Sequence, residues 1–323
     1  TFALTFYHPC IETGKMTPQR NLNGNAAFHI LALCIVAVWG TTFVATKVLL
    51  LHGLSPQEIF FYRFLMAYVL MLAYYHKKWF ADNWKDELRM LCAGMMGGSL
   101  YFYTENTALE YTATTNIALI LCIAPLITAL LLRLFYKDLR SDWTRNFLIG
   151  SILALVGVSL VILNGHFVLK LSPKGDLLCL ASAICWAFYT VLLKDLEQRY
   201  NNLLITRKVF FYGVLTILPL YISKAKPENL ALLRQPEIWG NLLYLGLVAS
   251  LLCFLFWNLT LHKISPIRAT NYIYFSPVVT AIASYFVLGE PITWIILAGG
   301  ALIISGVWLA GKKRSHVSIK RRR

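Results

Sequence analysis

Apolar runs of about 20 residues recur along the whole chain, the length an α-helix needs to cross a hydrocarbon core of roughly 30 Å. The runs fall at 26–51, 57–75, 88–109, 113–136, 144–164, 175–196, 203–223, 238–261, 266–288 and 291–311. Of the 323 residues, 58% are apolar and 14% charged, against about 25% charged in a soluble domain. A soluble protein of this size could not build a polar exterior from so few charges, so the solvent for this surface is lipid. The sequence therefore predicts an all-α integral membrane protein with ten transmembrane helices. Pro56, Pro266 and Pro291 lie at predicted helix starts, where the missing N–H costs little.

Charge fixes the expected orientation. With the N-terminus in the cytoplasm, 23 Lys and Arg fall in cytoplasmic segments and 5 in outer ones, while Lys47 and Arg63 lie within spans. The positive-inside rule then places both termini in the cytoplasm. The net charge of +15 follows from this bias and does not call for nucleic acid. The C-terminal run Lys312 to Arg323 reads as a topology anchor on anionic lipid heads. Of the seven cysteines, all but Cys10 lie in apolar runs, and none forms a CxxC or a Cys/His cluster with metal-ligand spacing. No disulfide, zinc, other metal or cofactor is expected.

The chain repeats itself. Trp39-Gly40 followed by Lys47 returns as Trp186-Ala187 followed by Lys194. At an offset of 152, Gly94, Phe102, Asn106 and Leu109 meet Gly246, Phe254, Asn258 and Leu261, and Pro125, Thr128 and Ala129 meet Pro277, Thr280 and Ala281. Asp138 falls opposite Glu290, and Gly150 and Gly157 match Gly299 and Gly306 at an offset of 149. Five spans per half is an odd number, so the second half enters the membrane upside down. Two inverted five-helix repeats are a signature of transporters, whose substrate site lies near the midplane between the halves. The expected organisation is a disordered polar leader at 1–25; a first repeat at 26–164; a linker at 165–174; a second repeat at 175–311; and a basic tail at 312–323.

This pattern resembles the drug/metabolite transporter superfamily, specifically its EamA-type ten-helix transporters. The resembling residues are Trp39-Gly40, Arg63, Phe102-x-x-x-Asn106-x-Ala108-Leu109, Ala124-Pro125, Phe254-x-x-x-Asn258-x-Thr260-Leu261, Ser276-Pro277 and Leu288-Gly289-Glu290-Pro291. They cover roughly 26–311, and their order and duplication are more specific than any one motif. The resemblance implies efflux or exchange of a small polar metabolite, such as an amino acid, by alternating access across a bacterial inner (plasma) membrane.

Trp39 and Trp186 sit near the bilayer centre, whereas tryptophan usually prefers the interfaces. They read as cavity walls, with helix packing as the competing role. Pro125 and Pro277, in the middle of their spans, read as hinges or as static kinks. The glycine pairs read as close helix contacts. Ionisable groups within spans are the sharpest signal, because each is costly there. Arg63 and Glu105 fall in the outer third and read as a gate, a substrate contact or a structural ion pair. Lys47 reads chiefly as a snorkelling side chain. Thr42, Tyr101, Tyr103, Asn106, Tyr189, Asn258 and Tyr272 complete the candidate pathway, since tyrosines and amides suit a polar metabolite. Half of these polar groups are expected merely to satisfy neighbouring backbone.

An intramembrane enzyme is disfavoured, because HExxH, GxSxG and a membrane aspartate pair are all missing. A scaffold or sensor is the other competing class. No Walker-type loop is present, so ATP is not a direct driver. Glu105 is the candidate for proton coupling, and a facilitator is equally compatible. One chain carries both repeats, so a monomer suffices, and a dimer is compatible.

Overall fold

The computed structural model describes residues 22–111, 117, 120–136, 145–163, 172–224, 229–288 and 294–311. The leader up to residue 21, most of the linker, Asp138, Glu290, Pro291 and the basic tail lie outside these residues. Among the described residues the chain forms ten helical rods, a one-turn helix at Asn229–Leu232 and no strand. The first half supplies α1 (Leu22–Leu51), α2 (Pro56–Tyr74), α3 (Trp84–Gly94, Met95–Ser99 and Leu100–Tyr111), α4 (Ala124–Phe135) and α5 (Arg145–Leu163). The second supplies α6 (Pro173–Leu196), α7 (Asn202–Lys224), α8 (Pro236–Leu243, Tyr244–Leu252 and Cys253–Ile264), α9 (Pro266–Thr270, Asn271–Phe275 and Ser276–Leu288) and α10 (Trp294–Gly311).

Four helical stretches are individually long and apolar enough to cross a membrane: Ala26–Leu51, Pro173–Leu196, Asn202–Lys224 and Pro236–Ile264. Shorter apolar helices complete the bundle. Large apolar side chains such as Leu134, Ile152, Phe286 and Trp308 are exposed on its outside, as a lipid-facing surface requires. α1 begins at Leu22, earlier than the apolar run at 26, because a helix can continue through the polar interface once the hydrocarbon is crossed. Ser55 and Glu58 close a capping box at the start of α2, with Pro56 in its first turn. Glu58 is buried and also accepts from Asn229 Nδ2 at 2.8 Å.

Small residues interlock the halves. A Cβ at Gly150 would lie 2.4 Å from the Gly306 carbonyl, and one at Gly157 would lie 2.6 Å from that of Gly299. Gly150 is the counterpart of Gly299, and Gly157 of Gly306. Each glycine therefore meets the counterpart of its partner, as a two-fold axis between antiparallel α5 and α10 demands. The same crosswise logic sets α3 and α8. Gly94 in α3 abuts Tyr212 and Gly213 of α7, and its counterpart Gly246 in α8 abuts Met66 and Arg63 of α2. Each half thus lays its third helix on the second helix of the other.

Two irregularities also obey the repeat. α3 becomes π-helical at Met95–Ser99 and α8 at Tyr244–Leu252. α4 and α9 are both interrupted before their prolines. A turn at Cys122–Ile123 precedes Ala124-Pro125, and a 3₁₀ segment at Asn271–Phe275 precedes Ser276-Pro277. Each proline therefore stands at the second residue of a new α-helical stretch, next to a turn or 3₁₀ segment, where its missing N–H costs little.

The end of the bundle where α2 meets α3 is rich in cross-half polar contacts. Buried Asp86 accepts from Arg89 at 2.9 Å, from Arg199 at 3.1 Å and from Tyr200 at 2.9 Å. Glu87 accepts from the backbone N–H of Ala81 at 2.6 Å and from Lys208 and Tyr212.

The glycine contacts make a direct expectation. Gly150→Val should lower the thermal stability of the purified protein by about 1–3 kcal/mol or more, as overpacking does. Gly240→Val, where a Cβ meets nothing within 4 Å, should be neutral or slightly stabilising, because valine is a better helix former than glycine. Thermal unfolding in detergent measures both.

Candidate functional site

Where the two halves meet, a cavity of about 60 Å³ is lined by Trp39, Thr42, Arg63, Tyr101, Glu105, Trp186 and Ser276 among others. α1, α2, α3, α4, α6, α8 and α9 each contribute a wall residue. The aromatic frame is continuous. The Trp39 ring centroid lies 5.2 Å from that of Trp186 and 5.0 Å from that of Trp257, distances typical of attractive edge-to-face and offset pairs. Trp186 lies 5.3 Å from both Tyr101 and Tyr189, and Phe102 and Phe254 close the side toward α2.

The π-helical turn of α8 serves this site. The indole N–H of Trp39 donates to the Ala249 carbonyl at 3.0 Å, and Arg63 Nε donates to Ser250 Oγ at 2.8 Å. Both acceptors lie in the π segment, a geometry frequent at functional sites. Arg63 is 2% exposed, and its guanidinium stands 4.3 Å from the centroid of the Phe102 ring, a cation–π contact that offsets part of its desolvation. Glu105 Oε1 accepts from Tyr101 OH at 2.8 Å. Arg63 and Glu105 face the same cavity, yet they form no direct ion pair. Among the described residues neither Nη of Arg63 donates a hydrogen bond, and Oε2 of Glu105 accepts none. The site thus holds one cation and one carboxylate, each with unspent hydrogen-bonding capacity.

The other residues singled out in the sequence are distributed unevenly. Thr42 lines the cavity, its hydroxyl bonded to the Trp39 carbonyl at 2.7 Å. Tyr189 lies beyond the wall, donating to Asn258 Oδ1 at 2.8 Å, while Asn258 Nδ2 donates to Thr206 at 3.1 Å. Asn106 reaches the Pro56 carbonyl at 3.4 Å. Tyr272 pairs with His29 at 2.8 Å. Tyr103 packs against the core and does not line the cavity. Lys47 donates to the Leu109 carbonyl at 2.9 Å and borders a separate cavity of about 350 Å³ with Glu58, Glu110, Lys224 and Asn229.

Sequence reasoning missed Ser250 and Trp257, and it placed Ser276 in a family motif without marking it as a cavity residue. Nothing in the local pattern marks a serine as the partner of Arg63, since the π-turn that presents it has no sequence signature. Trp257 falls opposite Glu105 at the repeat offset, a mismatch that carries no sign of its place beside Trp39. Glu197 was also missed: at the C-cap of α6 its side chain is 6% exposed, with Oε1 unpartnered and His262 3.9 Å from Oε2. The described cysteines, Cys34, Cys92, Cys122, Cys179, Cys185 and Cys253, are free thiols. Among the described residues no group of three or more His, Cys, Asp or Glu could hold a metal ion.

An inverted ten-helix bundle with a polar cavity where its halves meet is the architecture of a membrane transporter. The EamA-like transporter family model matches residues 27–163 and again residues 173–311, and the chain belongs to that family. An uncharacterized transporter of Archaeoglobus fulgidus is 26% identical over 90% of this chain and 99% of its own length. A probable amino-acid metabolite efflux pump of Salmonella typhimurium is 28% identical over 86% of this chain and 93% of its own. A solved crystal structure shares the fold with a TM-score of 0.71 at 14% identity, covering 88% of this chain and 98% of that one.

Removing the partner of Arg63 tests the frame of the site. Ser250→Ala should destabilise the protein by about 1–3 kcal/mol, because a buried charged donor loses its acceptor. Thermal unfolding of the purified variant reads this.

Proposed function

We propose that this transporter moves a small zwitterionic metabolite, of the amino-acid type, through the central cavity by alternating access. Its basic face and both termini lie in the cytoplasm. The observation that carries the reading is the separated charge pair. Arg63 retains free guanidinium donors and Glu105 a free carboxylate oxygen, in one aromatic-walled cavity where both repeats meet. A solute carboxylate would take the Arg63 donors, and a solute ammonium would take Glu105. Such charge-assisted contacts replace the water the solute leaves behind. The indole and phenol rings supply an apolar surface for the rest of the solute. The name of the Salmonella relative, an amino-acid metabolite efflux pump, agrees with this substrate class, and the positive-inside count supports the orientation.

Proteoliposome flux with a panel of amino acids, their methyl esters and their des-amino acids, with and without a pH gradient, tests the proposal. Glu105→Gln should lower flux of the zwitterion about 10- to 100-fold, the worth of a charge-assisted hydrogen bond, and change that of the des-amino acid little. Arg63→Gln should lower flux of carboxylates and spare the esters. Absence of flux for any solute, with correctly inserted protein, would overturn the reading in favour of a scaffold or sensor.

A further inference from the structure

Lys47 and Glu110 do not line the central cavity, yet both line a second one. This cavity of about 350 Å³ is bordered by Lys47, Leu109, Glu110 and Lys224, with Glu58 and Asn229 also in its walls. Three helices carry walls of both cavities. Thr42 and Lys47 of α1 are five residues apart, Arg63 and Glu58 of α2 are five apart, and Glu105 and Leu109 of α3 are four apart. At about 1.5 Å per residue, the second cavity lies about 6–8 Å further along the bundle, toward the ends of α1 and α3 and the start of α2. In the orientation proposed above, that end faces outward.

The polar groups of this cavity differ in what they already hold. Glu58 accepts from the backbone N–H of Ser55 at 2.8 Å and from Asn229 Nδ2 at 2.8 Å. Those contacts tie the first turn of α2 to the one-turn helix at Asn229–Leu232. Lys47 is half-buried, and its Nζ donates to the Leu109 carbonyl of α3 at 2.9 Å. A lysine that merely snorkels extends its ammonium into interfacial water. Here the neighbouring helix fixes the ammonium at the cavity wall. An ammonium has three donors, so two remain for another acceptor. Glu110 and Lys224 are exposed and, among the described residues, make no hydrogen bond or ion pair. The cavity therefore offers a positioned cation and an uncommitted carboxylate, in a volume that suits a small solute.

We propose that this cavity is a second binding site for a zwitterionic solute, in which Lys47 takes the carboxylate and Glu110 the ammonium. The inference rests on the zwitterion reading of the central cavity and adds an outer station to the same path. Contacts of this kind are charge-assisted, so a solute that leaves Arg63 and Glu105 meets the same two types of partner again. Lys224 adds a second positive charge to the mouth. The Leu109 carbonyl acts only by positioning Lys47.

The test reads the outer cavity directly. Leu51 lines it and is 74% exposed, so Leu51→Cys places a thiol there at little cost to packing. The full chain, with its native cysteines replaced, would be labelled in nanodiscs with a thiol reagent. L-alanine, its methyl ester and propionate serve as probes, because they carry little beyond the charged groups in question. L-alanine should slow labelling. Lys47→Met should raise the half-protecting concentration of L-alanine and of propionate about 10- to 100-fold, the worth of a charge-assisted hydrogen bond, and spare the ester. Glu110→Gln should weaken protection by L-alanine and the ester and spare propionate. Glu110 is exposed, so this variant tests the site even where Lys47→Met fails to fold. Arg63→Gln should leave protection by L-alanine in place. No protection by L-alanine, or protection indifferent to both Lys47→Met and Glu110→Gln, would overturn the proposal. Protection lost in Arg63→Gln would also overturn it, because labelling would then report the central cavity. Protection with the expected pattern in a chain without flux would support the outer site and remove the transport reading. Flux without protection would retain transport and remove the outer site.

Discussion

Lipid gives helices no hydrophobic reason to associate, so contact between their backbones must do that work. In this protein the decisive contact is the crossing of α5 and α10, where Gly150 meets Gly306 and Gly157 meets Gly299. Its crosswise register places a two-fold axis in the membrane plane. That axis then relates α3 to α8 and α2 to α7, and it brings Trp39 beside Trp186. The cavity follows from the axis, because seven helices from both halves converge there.

Much of this was legible in the sequence because the features are periodic or duplicated. Span lengths, the odd number of spans per half and the paired glycines needed only counting. Trp39 and Trp186 were legible as a central pair for the same reason. The π-turns were not, since Met95–Ser99 and Tyr244–Leu252 look like ordinary apolar helix. They matter because they present Ala249 and Ser250 to Trp39 and Arg63. Pro125 and Pro277 could be placed from the sequence, but not the breaks just before them. Depth estimates along single helices put Arg63 and Glu105 in the same layer. They could not show that Ser250 and Tyr101 hold the two groups separately. Tyr103, Asn106, Asn258 and Tyr272 are reminders that polar residues in spans often serve neighbouring helices and backbone.

The useful information lies in the departures from symmetry. Arg63 stands opposite Gly213 and Glu105 opposite Trp257, so charge enters the cavity from one repeat alone. Gly40, whose added Cβ would lie 2.9 Å from Val279 Cβ, stands opposite Ala187. On the proposed alternating-access reading, the symmetric scaffold would supply two related states and the asymmetric charges would choose the solute.

The most direct test of alternation about one cavity is the accessibility of Ser276, which lines it. Ser276→Cys, in a background with the native cysteines replaced, would be probed in oriented vesicles with a membrane-impermeant thiol reagent applied to either side. The account predicts reaction from both sides, at rates that conditions favouring one state shift in opposite directions, and protection by transported solute. Reaction from one side under every condition, or no protection by any transported solute, would contradict it.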